Sequence, residues 1–267
     1  MTQFITNILI IIYQGLMYLH VPYALGFAII GLTILIRIIL YPFISAQLKA
    51  SKKMQDLNPH LSRLKDQHKG DSKKLQQETL KLYKEHGVNP AAGCLPVIIQ
   101  LPIIWGLYSV LQSVVQLAPG KVVSEINSQL YFSSLKLAQS WDPTFFGLPL
   151  GKAPNQLLTL DSLWALVLLV PLLTGLFQFV QSKMMLPQAD ANPAKKKDPK
   201  KKDDFASVFQ SQSLYIFPAM IAFFSYGFPI GLSLYWNTFT IFGIIQQYKI
   251  AGLGGLNDWK TKYYDKK

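Results

Sequence analysis

Charge in this 267-residue chain is gathered into a few blocks, and the apolar stretches between them are as long as a lipid bilayer is thick. A helix rises about 1.5 Å per residue, so roughly 20 apolar residues cross a hydrocarbon core of about 30 Å. Tyr23 to Phe43, Ala91 to Leu117 and Leu160 to Met185 reach that length, the last with Pro171 inside it. Leu214 to Ile245 is too long for one crossing, and Gly227-Phe228-Pro229-Ile230-Gly231 near its middle reads as a tight turn between two short ones. Only 15% of the residues are charged, where a soluble domain carries about a quarter. The expected fold class is all-α: a polytopic membrane protein with five transmembrane helices at about 23–43, 91–117, 160–185, 213–228 and 229–248.

The net charge of +12 is distributed unevenly along this frame. Ten Lys/Arg fall between Ser45 and Pro90, seven between Lys183 and Lys202, and five from Lys249 onward. Spans two and three are separated by a segment holding only Lys121, Lys136 and Lys152, and nothing basic precedes Arg37. Basic loops stay on the cytoplasmic side, so the N-terminus is expected outside and the C-terminus inside. Five crossings satisfy every segment, whereas four would strand the basic tail, 249–267, outside. Phe4 to Met17 is too short to cross, lacks a basic n-region, and is broken by His20-Val21-Pro22. Residues 1–22 therefore read as an N-terminal interfacial helix on the outer surface, with an uncleaved or atypical signal segment as the alternative.

The first basic segment, 45–90, has the pattern of a cytoplasmic helical hairpin. Leu57, Leu61 and Leu64 step by four and three, Gly70-Asp71 supplies a C-cap and an N-cap, and Leu75, Leu82 and Tyr83 continue the stripe. Asn58-Pro59 fits an N-cap followed by proline, which breaks the first arm. One reading is a solvated helical pair joining two spans. A connector needs only a few residues, however, and this length points to a partner or membrane surface. Residues 186–212 contain a lysine-rich, low-complexity run expected to be disordered. Such lysines attract anionic lipid and RNA phosphate alike, and charge does not choose between them.

No constellation for chemistry is visible. His20, His60, His68 and His86 lie outside the spans without metal-ligand spacing, and there is no P-loop, nucleophile elbow or intramembrane acidic pair. Cys94 is the single cysteine, which excludes a disulfide framework and reads as a packed small side chain. No cofactor, metal site or catalytic residue is expected, and the chain does not read as an enzyme. The first span does hold one cation, Arg37, whose burial costs about 2.5–3.5 kcal/mol on insertion scales. Thr33 lies four residues earlier on the same helical face, and Gln100 and Asn237 in other spans can line the same cavity. The alternative is that Arg37 snorkels, about six residues from the cytoplasmic end of its span. No intramembrane Asp or Glu neutralises it, and an unpaired cation in a wet cleft attracts acidic or polar segments of another molecule.

Several stretches carry a resemblance over nearly the whole chain: Thr33-Ile34-Leu35-Ile36-Arg37-Ile38-Ile39-Leu40-Tyr41-Pro42, Leu82-Tyr83-Lys84 with Val88-Asn89-Pro90, Gly93-Cys94-Leu95-Pro96-Val97-Ile98-Ile99-Gln100-Leu101-Pro102-Ile103, and Phe228-Pro229-Ile230-Gly231-Leu232-Ser233-Leu234-Tyr235-Trp236. In this order and spacing the chain resembles the YidC/Oxa1/Alb3 membrane-protein insertases, in a bacterial form without a large extracytoplasmic domain. The resemblance implies a five-span core around a hydrophilic groove, open to the cytoplasm and lipid and closed outside. It implies that Arg37 faces the groove and that Thr33, Leu101, Ile104 and Trp236 touch passing substrate, with Tyr235 beside them. The sequence has Tyr-Trp where some relatives have Tyr-Tyr. The partners implied are nascent membrane proteins, the ribosome and the Sec translocon, with anionic lipids at the basic segments and no DNA. The location implied is the bacterial plasma membrane. A small-solute transporter or channel is the rival from another class, predicting an internal repeat that is not evident; a pure assembly scaffold is the third reading.

Overall fold

The computed structural model describes residues 2–68, 70–89, 101–110, 119–158, 164–186 and 205–257. In chain order its helices are α1 (Thr2–Tyr18), α2 (Ala24–Ile39), α3 (Tyr41–Asp56), α4 (Asn58–Gln67), α5 (Ser72–Glu85), α6 (Leu101–Val110), α7 (Pro119–Gln129), α8 (Trp164–Met184), α9 (Phe205–Gly227) and α10 (Ile230–Ala251). A two-stranded hairpin of β1 (Thr144–Phe145) and β2 (Leu148–Pro149) interrupts the helical pattern. The described residues divide into two compact units. One contains residues 1–39, 99–179 and 213–242, and the other 40–98, 180–212 and 243–267.

In the first unit α1 and α2 bury one face each against the other. Ile5, Leu9, Ile10 and Tyr13 are buried on α1, and Leu25, Ala28, Ile29 and Leu32 on α2, the three-and-four spacing of a helical stripe. Asn7 ties α1 to the end of α7 and the chain just beyond it: its Nδ2 donates to the Gln129 carbonyl at 2.9 Å, and the Tyr131 N–H donates to its Oδ1 at 2.9 Å. Gln14 donates to the Leu135 carbonyl at 2.8 Å, and the Tyr13 and Trp141 rings meet edge-on at 5.5 Å. A hydrogen-bonded side chain satisfies buried backbone that would otherwise cost free energy.

The β-hairpin is built on Phe146 and Gly147, with φ of 48° and 82°, the left-handed pair that a two-residue turn needs. It directs Phe145 onto Gly26 of α2, where any side chain would collide with the ring. Tyr23, Phe27 and Phe146 pack around the same ring, with centroids 4.8–6.1 Å from it. Past the hairpin, the carbonyls of Leu150 and Lys152 accept from the N–H groups of Gly231 and Ile230 at 2.8 and 2.9 Å. Those donors belong to the first turn of α10, which has no partners within its own helix.

In the second unit α4 and α5 pack as a helical hairpin. Gly70 turns the chain at φ 95°, and the Asp71 carboxylate caps α5 by accepting from the Lys74 N–H at 3.0 Å. At its other end Gly87 has φ 62°, Val88 N–H reaches the Tyr83 carbonyl at 2.8 Å, and Gly87 N–H reaches Lys84 at 3.1 Å. This is the Schellman closure, with Val88 buried behind it. Burial in the same corner raises the pKa of the Tyr83 phenol by desolvation.

A clasp after α10 completes the second unit. Gly252 ends α10 at φ 78°, and Gly254 and Gly255 then lie directly on the backbone of Lys183, Met184 and Leu186. The Gly255 N–H donates to the Leu186 carbonyl at 2.9 Å, Gln55 to Met185 at 2.7 Å, and Gln247 to Met184 at 3.4 Å. The last carbonyl of α8 and the two that follow it are thus each satisfied. Gln246 meanwhile donates to the Tyr41 carbonyl and the Ser45 hydroxyl of α3, each at 3.1 Å.

Three boundaries differ from the sequence expectation. The helix expected over 23–43 stops at Ile39 and restarts at Tyr41, because Pro42 occupies the first turn of a new helix, where its missing N–H is harmless. The break expected with Asn58 as cap falls at Leu57, the cap residue common to α3 and α4. Helix α9 begins at Phe205, so 205–212 is helical where a loop to 212 was expected. Of the span expected at 91–117, Leu101–Val110 is described. Gln100, the lysine run of the 186–212 loop and the end of the tail lie outside the described residues. Among the described residues Ala165–Met184 alone is long and apolar enough to cross a bilayer as one helix, whereas α2 has 16 residues, about 24 Å of rise.

Replacing Gly254 with alanine puts a methyl into the Met184 carbonyl at a left-handed φ of 51°. The variant is expected to lose about 1–3 kcal/mol, seen as a lower midpoint in thermal unfolding in detergent. Gly15→Ala, a helical position with open space, is expected to be neutral or stabilising.

Candidate functional site

Besides its apolar core, the first unit buries a set of polar side chains while several large apolar ones are exposed. Thr33, Arg37, Thr174, Gln178, Ser225, Ser233 and Thr240 are each under 9% exposed, whereas Trp105, Leu172, Tyr215, Ile216 and Phe223 are 60–74% exposed. Water would drive the reverse arrangement. Such an inversion is stable only when the outer surface faces lipid.

The buried polar groups converge on α10. On one side the Ser225 hydroxyl of α9 joins the Thr174 hydroxyl of α8 at 3.2 Å and Ser233 at 2.8 Å, a buried three-helix network. Thr174 also donates to its own Val170 carbonyl at 2.8 Å. The helices close tightly there because Gly175 faces Ala222; a Cβ on Gly175 would stand 2.9 Å from the alanine methyl. Small residues and hydroxyls are how helices adhere in lipid, where no hydrophobic force separates helix from solvent. One turn along, the Trp236 indole N–H donates to Gln178 Oε1 at 3.1 Å.

Arg37 occupies a different face of α10. It is 3% exposed. Its guanidinium carbon stands 3.4 Å from the centre of the Phe239 ring and 5.9 Å from that of Phe242. Its Nη2 donates to the Phe239 carbonyl, and its Nε has no hydrogen-bond partner among the described residues. A desolvated cation–π contact is worth about 2 kcal/mol, and a hydrogen bond to a charged group about 1.5–3 kcal/mol. Together they are of the size of the insertion cost of an arginine, about 2.5–3.5 kcal/mol. The charge is therefore tolerable where it stands, with a remaining N–H donor to spend on something else.

The other expected site residues fall as follows. Thr33 is fully buried, and its hydroxyl donates to the Ile29 carbonyl at 2.7 Å, a bond within its own helix. Tyr235 is 1% exposed, with its ring 5.8 Å from Phe239. Asn237 is half-buried, and its Oδ1 has no hydrogen-bond partner among the described residues. Leu101 is 61% exposed and Ile104 half-buried on α6. Arg37 is thus joined to the Tyr235–Phe239–Phe242 face, while Trp236 points to α8. Phe239, Phe242 and Gln178 were not among the expected residues. The spacing 235, 239, 242 marks one helical face in the sequence, and Gln178 is, with Gln181, one of two amides in α8.

Helices that bury hydroxyls, an amide and an arginine between them and expose large apolar side chains are those of an α-helical membrane protein. Comparison with known proteins gives the family. The model described as 60Kd inner membrane protein matches residues 16–253. The membrane protein insertase YidC of Streptomyces avermitilis is 33% identical over 226 residues, 84% of this chain and 50% of that protein. The protein of the same name from Fusobacterium nucleatum is 33% identical over 229 residues, 86% of this chain and 87% of that protein. A crystal structure of active YidC insertase with its first transmembrane domain resolved superposes with a TM-score of 0.52 at 26% identity, covering 88% of this chain and 45% of that one. The chain belongs to the YidC/Oxa1/Alb3 family. It spans about half the length of several of these relatives.

Loss of the Ser225 hydroxyl in Ser225→Ala removes two buried bonds between helices. It is expected to destabilise the protein by about 1 kcal/mol, measured by denaturant unfolding in micelles, and a Thr174→Val, Ser225→Ala double variant is expected to lose less than the sum of the two.

Proposed function

We propose that this protein is a membrane-protein insertase: it inserts and helps fold nascent membrane proteins, without a cofactor and without catalysing a covalent reaction. The observation that carries the reading is Arg37, a buried cation kept in an apolar helix by another helix, in a chain whose relatives are named insertases. In this reading a groove open to the cytoplasm brings water to the inner leaflet beside Arg37. The polar end of an arriving segment then moves part-way across without full desolvation. Arg37 holds acidic or polar groups of that segment for a time, and Thr33, Gln100, Leu101, Ile104, Tyr235, Trp236 and Asn237 line the path the segment takes. The apolar part of the segment leaves sideways into lipid, where burial supplies most of the driving force. The electrostatic contact only lowers a barrier.

The same proposal includes five crossings, with the N-terminus outside, the C-terminus in the cytoplasm and α1 lying in the outer interface of a bacterial plasma membrane. The α4–α5 hairpin and the basic segments then face the cytoplasm, where ribosome, Sec translocon and anionic lipid are available partners. The lysine distribution supports that sidedness.

The test is depletion of the protein and complementation with Arg37→Ala and Arg37→Lys, following a single-span substrate with an acidic outer segment. Arg37→Ala is expected to slow insertion about tenfold, equivalent to roughly 1.4 kcal/mol, and Arg37→Lys to restore part of it. Full insertion with Arg37→Ala would rule out electrostatic capture.

A further inference from the structure

Among the described residues Phe239 supplies both the nearest ring and the carbonyl that accepts from the cation. The Phe239 carbonyl accepts from Arg37 Nη2, and the Phe239 ring lies 3.4 Å under the guanidinium carbon, while Phe242 stands back at 5.9 Å. Tyr235, Phe239 and Phe242 occupy one face of α10 at steps of four and three, and the Tyr235 and Phe239 rings are 5.8 Å apart. A leucine would fill the space under Arg37 equally well. Only an aromatic face presents negative potential to a cation.

We propose that Phe239 is a positioning residue for Arg37: its ring parks the guanidinium against α10 until a carboxylate of an arriving segment competes for it. This deepens the insertase reading and rests on it for the identity of the competitor. The ring sets how readily the charge is released. Too weak a hold exposes the guanidinium to lipid headgroups and water continuously, and too strong a hold withholds it from substrate. Phe239 itself need not touch the substrate; it acts through the arginine.

The chain contains only two arginines, Arg37 and Arg63, and Arg63 is exposed on α4. Phenylglyoxal modification of the whole purified protein in lipid nanodiscs, followed by mass spectrometry of each arginine peptide, therefore reads the accessibility of Arg37 with Arg63 as internal reference. Phe239→Leu and Phe239→Met, which keep apolar bulk and lose the ring, are expected to speed Arg37 modification about fivefold. Phe239→Trp is expected to leave it at or below the wild-type rate, and Arg63 is expected to react equally in all four proteins. Equal Arg37 rates in wild type and both ringless variants overturn the proposal, as does Phe239→Trp reacting as fast as Phe239→Leu. Insertion assays then separate the two readings. The ringless variants are expected to change insertion of a substrate with an acidic outer segment relative to its asparagine-substituted counterpart, whereas a folding defect would lower both alike. Faster Arg37 labelling with an unchanged ratio keeps Phe239 as the positioning residue and overturns the role of the charge in insertion.

Discussion

A guanidinium taken out of water must recover elsewhere most of what hydration gave it, and here it does so on a single helix. Arg37 meets the ring and the carbonyl of Phe239, so the charge of α2 is stable only while α10 keeps its place. Much of the remaining structure fixes α10. The carbonyls of Leu150 and Lys152 close its first turn. Ser233 and Trp236 join it to the hydroxyl of Ser225 and the amide of Gln178. The second unit is fastened within itself, where Gln246 bonds to Tyr41, Gln247 bonds to Met184, and Gly254 and Gly255 lie on the backbone of Met184 and Lys183.

Polarity is distributed to suit this task. Where lipid surrounds the fold, outward apolar side chains cost nothing, and specificity between helices comes from the few polar groups inside. Thr174, Ser225 and Ser233 are small enough to hydrogen-bond without holding helices apart, and Gly175 against Ala222 sets how close they come. Among the described residues such packing leaves Arg37 Nε and Asn237 Oδ1 without a hydrogen-bond partner. The proposed insertase would need bonding capacity of that kind more than tight complementarity, because binding equally to every stage of passage would only hold a segment back.

Legibility in the sequence followed the physics of each feature. Arg37 stood out because a lone charge in an apolar run is costly. Gly227-Phe228-Pro229-Ile230-Gly231 marked a break because neither glycine nor proline favours continuous helix, and α9 ends at Gly227 and α10 starts at Ile230. Gly70-Asp71 was readable because a helix end leaves donors that a side chain must meet. The partner of Arg37 was not legible: a phenylalanine in an apolar helix looks the same facing lipid or facing a cation, and the second acceptor is a backbone carbonyl, which every residue has. The segment between α7 and α8 was opaque for the same reason, since Leu150 and Lys152 act through their backbones. The stop at Ile39 was missed because a proline beginning a helix and a proline inside one differ only in register. Whether Thr33, Leu101, Ile104 and Trp236 share a path is a question of what passes between them, and a sequence holds no record of that.

The central claim is that the polar interior around α10 receives an arriving segment while the outer apolar faces meet only lipid. Site-specific photocrosslinking to a ribosome-bound, stalled single-span chain in reconstituted membranes tests it most directly. A photoreactive residue replacing Trp236 should capture the stalled chain, and one replacing Leu172, which is 66% exposed on α8, should capture lipid alone. Equal capture at the two positions, or capture at Leu172 only, would contradict the account.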